Sequence, residues 1–175
     1  MDSYDLQGSA RTKSASDTTA AIGRLELRTQ KARVLARPDP ATISPQTSIR
    51  DALAQMRAHG GDAILIKDAG RLAGILTERD VLTRVLGTGV DETQPVATVM
   101  TANPKTLSAD ASLLEAMQAM ERGHYRNVPL TEPDGTVIGL LRQQDLIDFI
   151  AEAFPQEILN LPPRPHQLME QPEGA

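Results

Sequence analysis

The 175-residue chain is acidic, with 23 Asp and Glu against 18 Lys and Arg and a formal net charge of −5. It has no cysteine and four aromatic side chains, Tyr4, Tyr125, Phe149 and Phe154. Disulfides and thiolate metal sites are excluded, and the core must be built from Leu, Ile, Val, Ala and Met. There is no basic run to follow a phosphate backbone and no aromatic platform for single-stranded bases, so no nucleic-acid partner is expected.

In chain order, residues 1–20 are rich in Ser, Thr, Asp and Ala and are expected to be disordered. No stretch approaches the roughly 20 apolar residues of a membrane helix, and the polar start has no signal-peptide core. These features predict a soluble, cytoplasmic protein without membrane contact. Residues 22–37, "IGRLELRTQKARVLAR", read equally as an arm or a short helix, and 1–38 is assigned to a flexible N-terminal segment.

A short apolar strand at 41–43 comes next. Ser48 stands three residues before Asp51, the spacing of a capping box, and predicts a helix start. Ile49, Leu53 and Met56 then mark one buried helical face. A strand follows at "AILIK" (63–67), a turn at "DAGR" (68–71), a strand at "LAGIL" and a second helix at "ERDVLTRVL".

After a linker, "GTGVDETQP", and a predicted helical turn at "VATVM" (96–100), the same grammar returns. "TLSADASLLEAMQAMERGH" repeats "TISPQTSIRDALAQMRAHG" at a shift of 64, with Ser112 and Glu115 in the places of Ser48 and Asp51. One inserted residue then brings "GLLRQQD" (139–145) over "GILTERD" (74–80). Such self-similarity fixes the architecture: an α+β fold of two β-α-β-β-α repeats. The repeats are bounded at 39–90 and 101–155, with a linker at 91–100 and a proline-rich tail at 156–175.

The doubled element order, "GILTERD" and "GLLRQQD", "VATVM" and "YRNVPL" together resemble the tandem CBS domain, or Bateman module, named after cystathionine β-synthase. The closing "FPQEILNLPP" is similar to the tail of small bacterial proteins consisting of little else. The resemblance implies two repeats about a pseudo-two-fold axis, sheets back to back, and two clefts. One or both would hold an adenosine ligand: AMP, ADP, ATP, a NAD-type dinucleotide or S-adenosylmethionine, with magnesium only alongside ATP. It implies a sensor or regulator rather than an enzyme, a homodimer, and an output partner outside this chain.

It also assigns residues. A first pocket would join Thr77 and Asp80 to Lys105, Thr106, Arg126 and Asn127. A second would join Arg142 and Asp145 to Thr42, Ile43, Asp62 and Ala63. Physically, an ionised aspartate accepts only, so its two oxygens suit both ribose hydroxyls. Gly74 would let the backbone approach. The same T-x-x-D is also a plain helix cap, and the two roles can coexist.

Thr77 and Arg142 occupy equivalent places, and arginine offers no capping acceptor. Asp62 stands where the other copy has Arg126, so phosphate is repelled there. Three readings of Arg142 stand open: a pair with Asp62 that partly closes the cleft, exposure to solvent, or a grip on a ligand phosphate. Asn127 replaces a histidine common in relatives and brings no charge.

His59, His124 and His166 share no metal-ligand spacing. No catalytic signature accompanies the carboxylates, so no catalytic residues are assigned. The alternative to a nucleotide sensor is a ligand-free dimerising adaptor.

Overall fold

The computed structural model describes residues 25–153. The expectations for residues 1–24, the "FPQEILNLPP" tail and His166 lie outside them. In chain order the elements are β1 (Thr42–Ile43), α1 (Ile49–Ala58), β2 (Ala63–Asp68), β3 (Arg71–Thr77), α2 (Glu78–Asp80), β4 (Thr101–Ala102), β5 (Leu107–Ser108), α3 (Leu113–Gly123), β6 (Asn127–Thr131), β7 (Val137–Arg142) and α4 (Gln143–Ala153). The α+β architecture and its doubling are as the sequence predicts.

The capping hydroxyls do what their spacing demands. Ser48 Oγ accepts from the Asp51 N–H at 3.1 Å, and Ser112 Oγ accepts from the Glu115 N–H at 3.2 Å. Glu115 returns the favour by accepting from the Ser112 N–H at 2.7 Å. Caps of this kind stabilise a helix by about 1 kcal/mol each. The buried faces of α1 (Ile49, Ala52, Leu53, Met56) and α3 (Leu113, Ala116, Met120) then cover their own sheets.

The first sheet runs β1-β2-β3-β4 and the second β5-β6-β7. In each, a short strand pairs parallel with the first arm of a hairpin. The hairpins carry a register irregularity at matching points, Ile66/Lys67 and Leu130/Thr131. The first hairpin turns at Ala69 and Gly70, with φ of 45° and 80°, the two positive values a tight turn needs. Leu65, Ile75 and Leu140 form a separate buried cluster that joins the two sheets.

The repeats exchange their opening turns. Val96–Thr98 is a 3-10 turn, and Val96 and Val99 pack into the first repeat's core beside Ile43, Ile49 and Ile64. A shift of 64 leads to Ala32–Val34, also a 3-10 turn, and Ala32 packs into the second repeat's core beside Leu113 and Val128. The anchoring bonds match as well: Val96 N–H donates to Thr47 O and Ala32 N–H to Ala111 O, both at 2.7 Å.

Residues 25–37 therefore do not behave as the flexible segment expected of them. Residues 25–29 are helical, Leu27, Leu35 and Ala36 pack on the second core, and Arg33 reaches Asp110 at 2.9 Å. The helical turn expected at "VATVM" is present, but it completes the first repeat rather than only opening the second.

The two motif glycines serve this exchange. A Cβ on Gly74 would meet Met100 Sδ at 2.4 Å, and one on Gly139 would meet Arg37 O at 2.9 Å and Ala36 Cβ at 3.0 Å. The bare face at Gly74 is thus taken by Met100 at the entry to β4, the crossover strand (Thr101–Ala102), not left for a ligand.

Candidate functional site

Thr77 closes β3 and caps α2. Its Oγ1 accepts from the Asp80 N–H at 3.3 Å, while Asp80 Oδ2 accepts from the Thr77 N–H at 2.9 Å and from Thr77 Oγ1 at 2.7 Å. The crossover strand adds a donor from the other side: Thr101 Oγ1 reaches Asp80 Oδ1 at 3.0 Å. Arg84, one helical turn on, approaches the same oxygen at 3.4 Å and donates to Val99 O and Met100 O at 3.0 and 2.9 Å. Past Asp80 the helix widens to π geometry over Val81–Val85, closed by Leu86 N–H on Val81 O at 2.9 Å. Asp80 is 6% exposed and is the buried charged residue of the described core. A buried carboxylate survives because these donors replace water.

Thr77 and Asp80 form part of the wall of a cleft of about 700 Å³ between the repeats. That size is within the roughly 300–1,000 Å³ of small-molecule sites. Lys105, Arg126 and Asn127 line it too. Thr106 does not; it precedes β5 and is half-buried.

The second set does not form a pocket of its own at this cleft. Asp62 and Arg142 line the same cleft as Thr77, whereas Thr42, Ile43, Ala63 and Asp145 do not. Thr42 is exposed on β1, Ile43 belongs to the first core, and Ala63 packs against the cluster between the sheets. β1 pairs with β2 through Thr42 and Ile43, which commits their backbone and turns Ile43 inward.

Arg142 fills that side of the cleft. Its Nε donates to both Asp145 oxygens at 3.2 and 3.0 Å, its Nη2 to Asp145 Oδ1 at 2.7 Å, and its Nη1 to Asp62. Of the three readings of this residue, the pair with Asp62 is the one present. Hydrogen bonds from Arg142 to Asp145 raise the guanidinium pKa further, against burial, and Asp62 adds to the effect. Burial alone would raise the Asp145 carboxyl; the hydrogen bonds and charge of Arg142, with Arg37 behind, hold it below its ordinary value.

Among the cleft residues that sequence reasoning missed are Arg79, Arg84, Thr101 and Tyr125. Arg84 was findable as the residue four after Asp80 on one helix face. Thr101 was findable as the repeat equivalent of Arg37, whose Nε approaches Asp145 at 3.5 Å. Arg79 crosses to the second repeat, where its Nη1 meets His124 O at 3.4 Å.

The wall carries five cationic side chains, Arg79, Arg84, Lys105, Arg126 and Arg142, and three carboxylates, Asp62, Glu78 and Asp80. Arg84 and Arg142 are paired, but Arg79, Lys105 and Arg126 form no salt bridge among the described residues. Unmatched positive charge in a recess of an acidic protein favours an anion. Among the described residues no group of His, Cys, Asp or Glu could hold a metal ion, and no helix is long and apolar enough to cross a membrane.

The family model of the CBS domain matches twice, over residues 32–87 and 96–152. The CBS domain-containing protein CBSCBSPB2 of Arabidopsis thaliana is 40% identical over 102 residues, 57% of this chain and 19% of that protein. The match thus spans about a fifth of such a relative. The crystal structure of the CBS-domain containing protein ATU1752 from Agrobacterium tumefaciens is 29% identical with a TM-score of 0.61, covering 68% of this chain and 97% of that one. CBSX2, crystallised in complex with AMP, shares the fold at 20% identity and a TM-score of 0.63, covering 70% and 97%. Both repeats start, by the family model, at or beside their exchanged turns. The chain belongs to the CBS-domain family and carries the domain twice.

Proposed function

We propose that this chain is a non-catalytic regulatory module that binds an adenosine nucleotide in the cleft between its repeats. The observation that carries the reading is the pairing of a buried carboxylate, Asp80, with the unmatched cations Arg79, Lys105 and Arg126 in one recess. Asp80 offers acceptors to the ribose hydroxyls once Thr101 Oγ1 turns away, Thr77 lies beside it, and the cations receive phosphate. The AMP complex of CBSX2 supports the ligand class. AMP, ADP, ATP and NAD-type dinucleotides fit this charge; S-adenosylmethionine, cationic at sulfur, ranks last, and magnesium enters only with ATP. A ligand touching both repeats favours one relative geometry of the pair, which an output protein then reads.

Isothermal titration with AMP, ATP, NADH and S-adenosylmethionine tests this. Phosphate-bearing ligands should bind, more weakly at high salt. Absence of sub-millimolar binding by all four, with Asp80→Ala also silent, removes the reading.

A second reading, a ligand-free dimerising adaptor, is favoured by Leu82, Leu86 and Ile147, helical or near-helical side chains 65, 55 and 50% exposed. A second copy covering them would make the homodimer. A dimer by sedimentation, with a melting temperature unmoved by every adenosine compound, selects this reading, since a ligand bound to the native state alone must stabilise it.

A further inference from the structure

The two Asp carboxylates sit in equivalent places but in different states. Asp80 stands on the cleft wall; its Oδ2 accepts from the Thr77 N–H and Oγ1, its Oδ1 accepts from Thr101 Oγ1, and Arg84 Nη1 stays 3.4 Å from Oδ1, so no guanidinium spans both oxygens. Both hydroxyls can rotate away. Asp145 is off the wall, under a guanidinium that contacts both of its oxygens. A planar guanidinium on a carboxylate consumes the same two acceptors that a pair of vicinal hydroxyls requires. Arg37, which pairs with Leu140 through an isolated bridge, approaches the same carboxylate at 3.5 Å. The remaining nitrogen of Arg142 is fixed by Asp62 of the other repeat. The Asp145 side chain is 15% exposed and that of Asp80 9%, so it is the guanidinium and not burial that separates the two positions.

We propose that Arg142 is an intramolecular occupant of the second repeat's ribose position, held there by Asp62, so that each chain takes one adenosine nucleotide and not two. This rests on the reading that Asp80 receives ribose in the first repeat. Two separate obstacles stand at the second position. The guanidinium removes the acceptors, and the Asp62 carboxylate, in the place Arg126 holds in the other copy, repels phosphate. Removing the first admits a nucleoside; removing both admits a nucleotide.

The experiment counts ligands per chain by isothermal titration and equilibrium dialysis, with AMP and adenosine as probes. Wild type should take one of either. Arg142→Thr restores the hydroxyl of the first copy and should take two adenosines but one AMP. Arg142→Thr with Asp62→Arg should take two AMP. Circular dichroism melts confirm that each variant folds; if the double variant does not, the adenosine count of Arg142→Thr decides. Two AMP per wild-type chain, or folded variants with wild-type counts for both probes, overturns the proposal. If wild type binds nothing while Arg142→Thr binds adenosine, the occupant stands and the first-site reading falls. If no variant binds either probe, both fall.

Discussion

At the end of β3 the chain places a hydroxyl, and at the end of β7 a guanidinium; an aspartate follows each by three residues. The backbone treats the two alike: the Asp80 and Asp145 carboxylates both accept the N–H of the residue three before them, at 2.9 and 3.2 Å. One side chain separates their uses. Threonine lends a small, rotatable donor and leaves the carboxylate at a cleft wall. Arginine spans from its own repeat to Asp62 and locks the carboxylate in an ion pair. Duplication fixes where an acceptor stands, and the residue three before it decides whether that acceptor is available.

The sharpest way to break this comparison is to remove each aspartate in turn. Asp80→Ala should weaken nucleotide binding at least about 30-fold, the ~2 kcal/mol lower bound for truncating one partner of a buried charged hydrogen bond. Asp145→Ala should leave affinity within about twofold and lower stability instead. Titration calorimetry on both variants reads the first quantity, and urea unfolding the second.

The residues three before each aspartate, Thr77 and Arg142, should also separate in stability. A fully buried pair broken at one side costs about 3–5 kcal/mol. Asp62 is 40% exposed, so Arg142→Met should cost less, about 2 kcal/mol, after screening by solvent. Thr77→Val removes a cap and should cost about 1 kcal/mol. Urea midpoints at constant m-value measure both. Equal losses would mean that the guanidinium contributes no more than a cap.

Much of this contrast was legible in the chain. Ser48, Ser112 and Thr77 announce their helices by spacing, because capping is a local interaction. The Arg142 and Asp62 exchange was visible from the repeat alone. What was not legible is which core a short turn joins. "VATVM" and the equivalent 32–36 are mostly apolar but too short for a periodic pattern to specify a partner, and their destination is set by the packing of two whole repeats. That Ile43 turns into the first core was hidden for a related reason: a two-residue strand has no periodicity to tell its inner face from its outer. The π turn at Val81–Val85 has no residue signature, so the reach of Arg84 to the crossover strand could not be foreseen.

The glycines test the exchange itself, with a smaller effect. At Gly139 an added Cβ meets backbone, Arg37 O at 2.9 Å, which cannot move without shifting the crossover. At Gly74 it meets the side chain of Met100, which has rotamers to spare. Gly139→Ala should therefore cost about 1 kcal/mol, at the low end of overpacking losses, and Gly74→Ala less. Thermal melts order the two, and the reverse order would mean that the Arg37 crossover yields more readily than Met100.

The smallest effect lies in acid. The folded Asp145 carboxyl titrates below its ordinary value of 3.8, because the hydrogen bonds and charge of Arg142 outweigh the upward push of burial. A depressed folded pKa means that the unfolded chain binds the proton first. The group's contribution is thus complete well above 3.8 and is lost as pH falls through the folded value. Arg142→Met removes the guanidinium's hydrogen bonds and charge and leaves burial opposed only by the backbone N–H of residue 142, which the substitution keeps, and by Arg37 at 3.5 Å. Protonation then relieves the variant while it costs the wild type. The stability gap between the two should be widest near neutral pH and should narrow as pH falls below about 4, read by urea unfolding across that range. A gap of constant size from neutral to acid pH would assign the loss to packing of the arginine stem, and the difference between the two repeats would then be one of volume, not of charge.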